Sequence, residues 1–311
     1  MTTILVRGEL SADERAQINA AFPEAEVITA EGDEFLRHLP GADIVWGGLR
    51  PSQIALGKRL KLIQVLSAGV DHMLSPELRA SQAELCTTSG IHQETIAEHV
   101  LGMMLCLVRS YPAHILNQQT KNWRPTEPKL LYGQTVGILG FGAIGQAIGS
   151  RAKAFGMRVI AVRKHPAPSP CADEVVADRE LDTILPRVKH LVVALPLTPE
   201  TDNLLHRERL ALLPAGAYFY NIARGKVVDE VALAEFLQGG HLVGAGLDVF
   251  AEEPLPPTSP LWSMSNVLVT PHCAGSLPNY RERALAIFLE NLRRLRQGEA
   301  LINTVDKQAG Y

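Results

Sequence analysis

The sequence predicts an α/β protein with two parallel β-sheets, each covered by helices on both faces. Short apolar runs alternate with segments of helical periodicity along nearly all of the 311 residues, and this alternation indicates parallel strands joined by helical crossovers. The alternation forms two series, separated by a long helical segment and a proline-rich stretch at residues 122–132. Two series imply two domains, in agreement with roughly 100–200 residues per domain.

In the first series, apolar runs predict buried strands, and Ser11 and Asp33 are suited to cap the helices that begin there. The predicted strands are Thr3–Val6, Glu26–Ile28, Ile44–Trp46 and Leu62–Leu66, and the predicted helices are Ser11–Phe22 and Asp33–Leu39. After this series the spacing predicts one long helix, Glu94–Gln119, disturbed near Pro112.

The second series is the better defined of the two. Its predicted strands are Thr135–Leu139, Arg158–Val162, Leu191–Leu195, Tyr218–Ile222, Gly244–Val249 and Val267–Thr270. The helices predicted between them are Ala143–Phe155, Glu180–Arg187, Glu208–Leu213 and Asp229–Gln238. A last amphipathic helix is predicted over Tyr280–Gln297.

The composition excludes several function classes. Hydrophobic residues make up 46% and charged residues 20%, and the net charge is −3, so no basic field is expected to bind nucleic acid or a membrane. The four cysteines are far apart, which argues against a zinc site or a disulfide framework. The first apolar run contains Arg7 and Glu9, unlike a secretory signal, and the run Ile96–Val108 contains Glu98 and His99 and is too short to span a bilayer. We expect a cytoplasmic protein without a bound metal.

A glycine-rich turn between a predicted strand and helix indicates a dinucleotide site. In the motif GFGAIG, Gly140 allows a tight turn, Gly142 lets the backbone approach a pyrophosphate, and Gly145 lets the helix pack closely on the strand. Free N–H groups at the helix start, such as those of Ala143 and Ile144, are suited to hold the anion. The alternative is a turn without a ligand, but the strand–turn–helix context favours a nucleotide.

The end of the next strand predicts the type of cofactor. An NAD site normally carries an acid there, about 20 residues after the glycines, which binds the ribose 2′-hydroxyl. This strand ends instead in Arg163 and Lys164, which are suited to pair with a 2′-phosphate. The alternative is a solvated basic strand end. We expect NADP(H) as the preferred cofactor, with NAD(H) possible.

Three polar groups after later strands suit redox chemistry on a 2-oxo acid. Such a reduction needs a hydride at the carbonyl carbon and a proton at its oxygen, where negative charge develops. Arg224 stays protonated and is suited to bind the carboxylate and the oxo oxygen. His272 is suited as general acid, and Glu253 beside it would favour the imidazolium and fix the ring orientation. Taken singly, each residue has a structural alternative: a surface arginine, a solvated acid and a hydrogen-bonded core histidine.

With these motifs in this order, the chain resembles the D-isomer-specific 2-hydroxyacid dehydrogenases. The likeness covers essentially the whole length, is strongest from Leu131 to Ser276, and is weaker in LSAGVD at Leu66–Asp71 and TIAE at Thr95–Glu98. Within the family the chain is most similar to the glyoxylate/hydroxypyruvate reductases, because of NWRP at 122–125 and PLPP at 254–257.

The resemblance implies a domain arrangement and a partner. A Rossmann cofactor domain, residues 96–275, is inserted into a flavodoxin-like substrate domain, residues 1–95 and 276–311. A homodimer is expected from the family alone. The cofactor domain supplies the catalytic residues, and the family's catalytic Arg, Glu and His fall on Arg224, Glu253 and His272 without substitution. Further cofactor contacts are implied for Thr95, Pro196, Thr201, Ala223 and Asp248, the last accepting from the nicotinamide carboxamide.

Substrate contacts are implied for a loop of the first domain. The backbone N–H groups of Ala68, Gly69 and Val70 are expected to bind the substrate carboxylate together with Arg224; the alternative is an ordinary strand-to-helix turn. Trp123 is expected to line the substrate pocket, with a reach across a dimer interface as one arrangement and core packing as its alternative.

The sequence therefore predicts an NADPH-dependent reductase of a small 2-oxo acid such as glyoxylate or hydroxypyruvate. One alternative is an NAD-dependent dehydrogenase for a bulkier 2-hydroxy acid. Another is a non-catalytic nucleotide-sensing corepressor, because a fold does not by itself imply catalysis. The retained Arg224, Glu253 and His272 argue against the sensor.

Overall fold

A computed structural model describes residues 1–310, which form two compact units, each built on one parallel sheet. The first unit comprises residues 1–91 and the segment that begins at Leu277, and the second comprises His92–Ser276. The sequence analysis set the first boundary after residue 95 instead. The second unit begins earlier because the helix that starts at Gln93 packs against elements of that unit.

The first unit contains a five-stranded sheet in the order β2-β1-β3-β4-β5, with all pairs parallel. This is the flavodoxin-like order. Its elements are β1 (Thr2–Arg7), α1 (Ala12–Ala21), β2 (Ala25–Ala30), α2 (Gly32–His38), β3 (Ile44–Trp46), α3 (Pro51–Ile54), β4 (Leu62–Gln64), α4 (Pro76–Ala80), β5 (Glu84–Cys86) and, at the end of the chain, α11 (Tyr280–Gln297).

The second unit contains a seven-stranded parallel sheet in the order β12-β11-β10-β9-β6-β7-β8. Counted from its first strand, this is the Rossmann order 3-2-1-4-5-6 with one further strand, so the predicted fold class is confirmed. Its elements are α5 (Gln93–Val108), α6 (Tyr111–Gln119), β6 (Thr135–Leu139), α7 (Ala143–Ala154), β7 (Arg158–Arg163), β8 (Glu174–Ala177), α8 (Leu181–Ile184), β9 (His190–Val193), α9 (Arg207–Ala211), β10 (Ala217–Asn221), α10 (Glu230–Gln238), β11 (Leu242–Leu247) and β12 (Val267–Val269).

The prediction of a single helix over Glu94–Gln119 is wrong. Helix α5 ends at Val108, and α6 begins at Tyr111. Between them Ser110 adopts a left-handed conformation with φ 56°, which a continuous right-handed helix does not allow. Pro112 lies in the first turn of α6, where its missing N–H costs no helical hydrogen bond.

Both faces of the second sheet are buried, which explains its uninterrupted apolar strands. Strand β7 packs Val159 and Ala161 into one core and Ile160 and Val162 into the other. Full burial of such a valine or isoleucine contributes about 1.5–3 kcal/mol. Among residues 1–310, no helix combines the length and the apolar character that crossing a bilayer requires.

Candidate active site

The carboxyl ends of the second unit's strands bring most of the predicted site residues to one edge of its sheet. All strand pairs are parallel, so the segments that follow the strands share this edge, where ligands bind in open α/β sheets. Strands β10, β11 and β12 are neighbours. They precede Arg224, Glu253 and His272 respectively, which makes a joint site possible.

The glycine turn between β6 and α7 is shaped by close backbone contacts. Gly140 has φ 90°, and a Cβ there would lie 2.5 Å from the carbonyl oxygen of Ala194. A Cβ on Gly145 would lie 2.2 Å from the oxygen of Gly140, so α7 packs directly on the turn. By contrast, a Cβ on Gly142 meets nothing within 4 Å. The turn therefore leaves open space beside Gly142, at the amino end of a 12-residue helix, and this fits a pyrophosphate.

The basic pair after this turn is only weakly engaged by the described part of the chain. Arg163 is the last residue of β7 and half-buried, and Lys164 is exposed. Among the described residues neither side chain makes a hydrogen bond or a close ion pair. The charge of Lys164 acts on Glu200. The pKa of Glu200 is lowered mainly by hydrogen bonding with Thr198 and more weakly by this charge. Arg163 thus has donors available for an anion.

Several predicted cofactor contacts are already engaged in local hydrogen bonds. The Thr201 hydroxyl donates to the oxygen of Pro196 (2.6 Å) and accepts from the N–H of Thr198 (2.7 Å), which shapes the turn after β9. The Thr95 hydroxyl donates to the oxygen of His92 at the start of α5 (3.1 Å). These bonds orient both side chains.

The turn after β10 is held by Asn221, a side chain that the sequence analysis did not single out. Its amide accepts from the N–H of Ala223 and donates to the oxygen of Arg224, both at 3.0 Å. The half-buried guanidinium of Arg224 donates to the oxygen of Ala223 at 2.7 Å. A Cβ on Gly225 would lie 1.8 Å from the carbonyl carbon of Phe250. The Arg224 turn and the segment that leads to Glu253 are therefore in direct backbone contact.

Glu253 and His272 form a close pair. His272 Nδ1 lies 2.7 Å from Glu253 Oε2, and Glu253 Oε1 accepts from the N–H of Phe250 at 3.0 Å. Because a carboxylate only accepts hydrogen bonds, Nδ1 carries the hydrogen, and Nε2 remains for a substrate. Both side chains keep solvent access, with 35% of Glu253 and 48% of His272 exposed. The pair is thus oriented on one side and accessible on the other.

Asp248 is buried, 2% exposed, and holds the segment that carries His272. Its Oδ1 accepts from the Thr270 hydroxyl (2.6 Å) and the N–H of Cys273 (2.9 Å), and its Oδ2 accepts from the N–H of Ala274 (2.9 Å). A carboxylate offers about four acceptor positions, and these bonds hold the carboxylate of Asp248 in place.

In the first unit, the loop after β4 presents unpaired amides. The Ser67 hydroxyl donates to the oxygen of Gly69 at 2.8 Å and closes the loop. Within residues 1–310, no acceptor faces the backbone N–H groups of Ala68, Gly69 and Val70. Consecutive free amides in a turn are suited to form an anion-binding concavity.

Trp123 is not a core residue. Its side chain is fully exposed, at 101%, so the core-packing alternative is wrong. It follows α6, which also exposes Tyr111, Ile115 and Leu116.

In the described chain no three or more His, Cys, Asp or Glu side chains are arranged to hold a metal ion.

Sequence reasoning missed His99 and Glu230 as well as Asn221. His99 Nε2 lies 3.1 Å from the Thr270 hydroxyl, and Glu230 Oε2 accepts from the N–H of Ala251 at 3.0 Å. A signal was present in each case, because His99 interrupts an apolar helix and Asn221 and Glu230 flank the predicted arginine turn.

Comparison with known proteins identifies a matching family. The family model described as D-isomer specific 2-hydroxyacid dehydrogenase, NAD binding domain, matches residues 101–274. Among curated relatives, D-3-phosphoglycerate dehydrogenase of Mycobacterium tuberculosis is 33% identical over 301 residues, which are 96% of this chain and 54% of that protein. The chain thus spans about half the length of these dehydrogenases.

Solved structures match over the whole chain. A D-isomer specific 2-hydroxyacid dehydrogenase from Xanthobacter autotrophicus, in complex with NADPH and MES, is 34% identical with a TM-score of 0.86, covering 100% of both chains. An NADPH-dependent glyoxylate/hydroxypyruvate reductase from Sinorhizobium meliloti, in complex with NADP and sulfate, is 31% identical with a TM-score of 0.87, again covering 100% of both.

Proposed function

The chain belongs to the D-isomer specific 2-hydroxyacid dehydrogenase family, and from this premise we propose that it reduces a small 2-oxo acid to the 2-hydroxy acid with NADPH. The observation that carries the proposal is the 2.7 Å contact between His272 Nδ1 and Glu253 Oε2, in the segments that follow the two strands after the Arg224 turn. This arrangement supplies a proton donor and a cation at one edge of the sheet.

The chemistry follows from these side chains. A bound nicotinamide cofactor supplies the hydride. Arg224 binds the substrate carboxylate and meets the negative charge that develops on the oxo oxygen. His272 gives a proton from Nε2 to that oxygen, while Glu253 stabilises the imidazolium and orients the ring. One 2-oxo acid, one NADPH and one proton thus yield one 2-hydroxy acid and NADP⁺.

NADPH is proposed over NADH because of the end of β7. Arg163 and Lys164 stand where an NAD site carries an acid, and their donors are unpaired in the described chain. The two solved relatives named above carry NADPH or NADP in their complexes, which supports the same preference. NADH remains the proposed weaker cofactor.

A small substrate such as glyoxylate or hydroxypyruvate is proposed first. The three free amides of Ala68, Gly69 and Val70 are proposed to bind its carboxylate, because they form an anion-binding concavity of the type described above. The bulkier 2-hydroxy acid substrate is the second candidate, favoured by the 33% identity to D-3-phosphoglycerate dehydrogenase.

A homodimer is proposed in which a second copy covers the exposed apolar side chains of α6 and Trp123. Tyr111, Ile115 and Leu116 are each more than half exposed, and such a contiguous patch marks an interaction site. Light scattering is expected to give twice the 33.9 kDa chain mass. Ile115→Glu with Leu116→Glu should give monomers, whereas the control Val231→Glu, at an exposed site on α10, should not.

A cytoplasmic location stays a prediction.

The test of the activity is oxidation of NADPH and of NADH, followed by absorbance, with glyoxylate, hydroxypyruvate, pyruvate and phenylpyruvate. The proposal requires the largest kcat/KM with NADPH and one of the two small acids. A preference for phenylpyruvate with NADH would favour the bulkier-substrate dehydrogenase. Tight NADPH binding with no turnover of any 2-oxo acid would favour the sensor.

A further inference from the structure

A second histidine lies behind the His272 turn and has no role in the proposed chemistry. His99 is on α5, and its Nε2 lies 3.1 Å from the hydroxyl of Thr270, the residue that follows β12. The side chain is mostly buried, at 22% exposed, and Nε2 is 3.8 Å from Asp248 Oδ1. His99, Thr270 and Asp248 thus form a connected polar cluster, which we call the rear network.

Counting hydrogens assigns the direction of each bond in the rear network. The hydroxyl of Thr270 has one hydrogen, and the 2.6 Å contact with Asp248 Oδ1 uses it, because a carboxylate only accepts. The oxygen of Thr270 must therefore accept from His99, so that Nε2 of His99 carries a hydrogen. The order is His99 Nε2–H to Thr270 Oγ1–H to Asp248 Oδ1, and each bond polarises the next.

The rear network ends on the backbone of the catalytic turn. Asp248 accepts from the N–H groups of Cys273 and Ala274 through its carboxylate and from that of His272 through its main-chain oxygen at 2.8 Å. Three consecutive amides are thus bound to one buried residue. His272 itself has φ 50°, a left-handed conformation that is strained for a residue other than glycine. Such a conformation persists only where surrounding bonds hold it.

We propose that His99 is a positioning residue for the proposed general acid, acting through Thr270 and Asp248 on the turn that carries His272. The inference rests on the proposed function. His99 fixes the rotamer of Thr270, Thr270 fixes one carboxylate oxygen of Asp248, and that oxygen holds the amide next to His272. Loss of the donor on His99 frees Thr270 to rotate and loosens the turn, which displaces Nε2 of His272 from the oxo oxygen.

The experiment compares His99→Leu with His99→Gln and Thr270→Val. Leucine removes the donor while filling the space, and the Gln side-chain amide restores a donor near the position of Nε2. We expect His99→Leu to lower kcat about tenfold to a hundredfold, the range that follows from a small displacement of a reacting group, with the Kd for NADPH unchanged. His99→Gln should recover most of this loss. The double variant His99→Leu/Thr270→Val should be no slower than the slower single variant, because both break one chain of bonds.

His206→Ala is the control, since His206 pairs with Glu208 on the surface, outside the network, and should keep the wild-type kcat. Wild-type kcat in His99→Leu, additive losses in the double variant, or an unrescued His99→Gln would each overturn the inference. If the wild type reduces no 2-oxo acid, the proposed function fails separately. Hydrogen exchange at the amides of Cys273 and Ala274 then decides the inference alone: faster exchange in His99→Leu supports it, and unchanged exchange overturns it.

Discussion

Two turns at the carboxyl edge of the same sheet are built in opposite ways. The turn from Gly140 to Gly145 is shaped by missing side chains, because a Cβ at either end would collide with backbone. The turn that carries His272 is shaped by side chains that are present, since Asp248 binds the amides of its last residues. The first turn requires positions without a side chain, and the second requires hydrogen-bond partners for its backbone.

The difference shows which part of the sequence specifies each turn. The space at the first turn is specified by neighbouring residues, because three glycines within one short motif lack side chains and permit backbone conformations that other residues rarely adopt. Partners for the His272 turn come from Asp248, which follows β11, and from His99 on α5, which is far away in the sequence. A substitution at the glycine turn should therefore act through steric exclusion, whereas one at the His272 turn should act through the loss of a chemical group.

The largest effect is expected at the second turn. His272→Ala should lower kcat by about 10²–10⁴-fold, the usual contribution of a positioned acid, while the Kd for NADPH, measured by fluorescence, stays near the wild-type value. Loss of NADPH binding together with activity would make the turn a cofactor contact and remove the contrast between the two turns. Full activity would remove His272 as the acid.

At the first turn, Gly142→Ala should weaken NADPH binding on the order of tenfold to a hundredfold, about 1.4–2.7 kcal/mol, because the added Cβ occupies the space left for a pyrophosphate. The free energy of unfolding should not change, since that Cβ meets no protein atom within 4 Å. Gly140→Ala is the matched contrast: its Cβ overlaps the oxygen of Ala194, so stability should fall by about 2 kcal/mol or more. Equal stability losses in the two variants would contradict this distinction.

Arg163→Asp tests whether the glycine turn and the end of β7 act as one cofactor site. The ratio of kcat/KM with NADPH to that with NADH should fall roughly tenfold to a hundredfold, because a charge-assisted bond to the 2′-phosphate is lost and a like charge is added. The control is Arg158→Asp at the opposite end of β7, where the side chain pairs with Glu174. An unchanged ratio for Arg163→Asp, or an equal change in both variants, would remove the assignment.

The smallest effect concerns a histidine that is built for packing instead of chemistry. Burial lowers the pKa of His190 to about 3 from 6.5, and its ring stacks on Tyr218 at 4.8 Å. Below pH 6.5 this histidine is protonated in the unfolded chain and stays neutral in the folded one. The free energy of unfolding is therefore highest above that pH and falls by about 1.4 kcal/mol per pH unit below it.

His190→Phe keeps a stacked ring and removes the titration. Denaturant unfolding should show the wild type losing more stability than the variant between pH 7 and roughly 5.5. The variant itself should be less stable at pH 7, because the Tyr220 hydroxyl, 3.2 Å from His190 Nδ1, loses its partner. Parallel pH profiles for the two proteins would show that His190 does not titrate as its burial indicates.

Much of the fold could be predicted, because strands that are buried on both faces appear in the sequence as uninterrupted apolar runs. The misses were short or interrupted elements. Strands Glu84–Cys86 and Glu174–Ala177 are three and four residues long and each begins with an acid, so their apolar runs are short. The break between α5 and α6 depends on the left-handed conformation of Ser110. The hydrophobic periodicity of the sequence does not indicate such a conformation.

The sequence by itself determined the two parallel-sheet units, the glycine turn and the order in which an arginine, a glutamate and a histidine follow three strands, because strand periodicity and glycine spacing are local properties. Only the tertiary structure decided that His272 meets Glu253 at 2.7 Å, that Trp123 lies at the surface and that His99 reaches the rear of the turn that carries His272. These contacts join segments 19 and 171 residues apart, and packing alone sets which side chains meet over such separations.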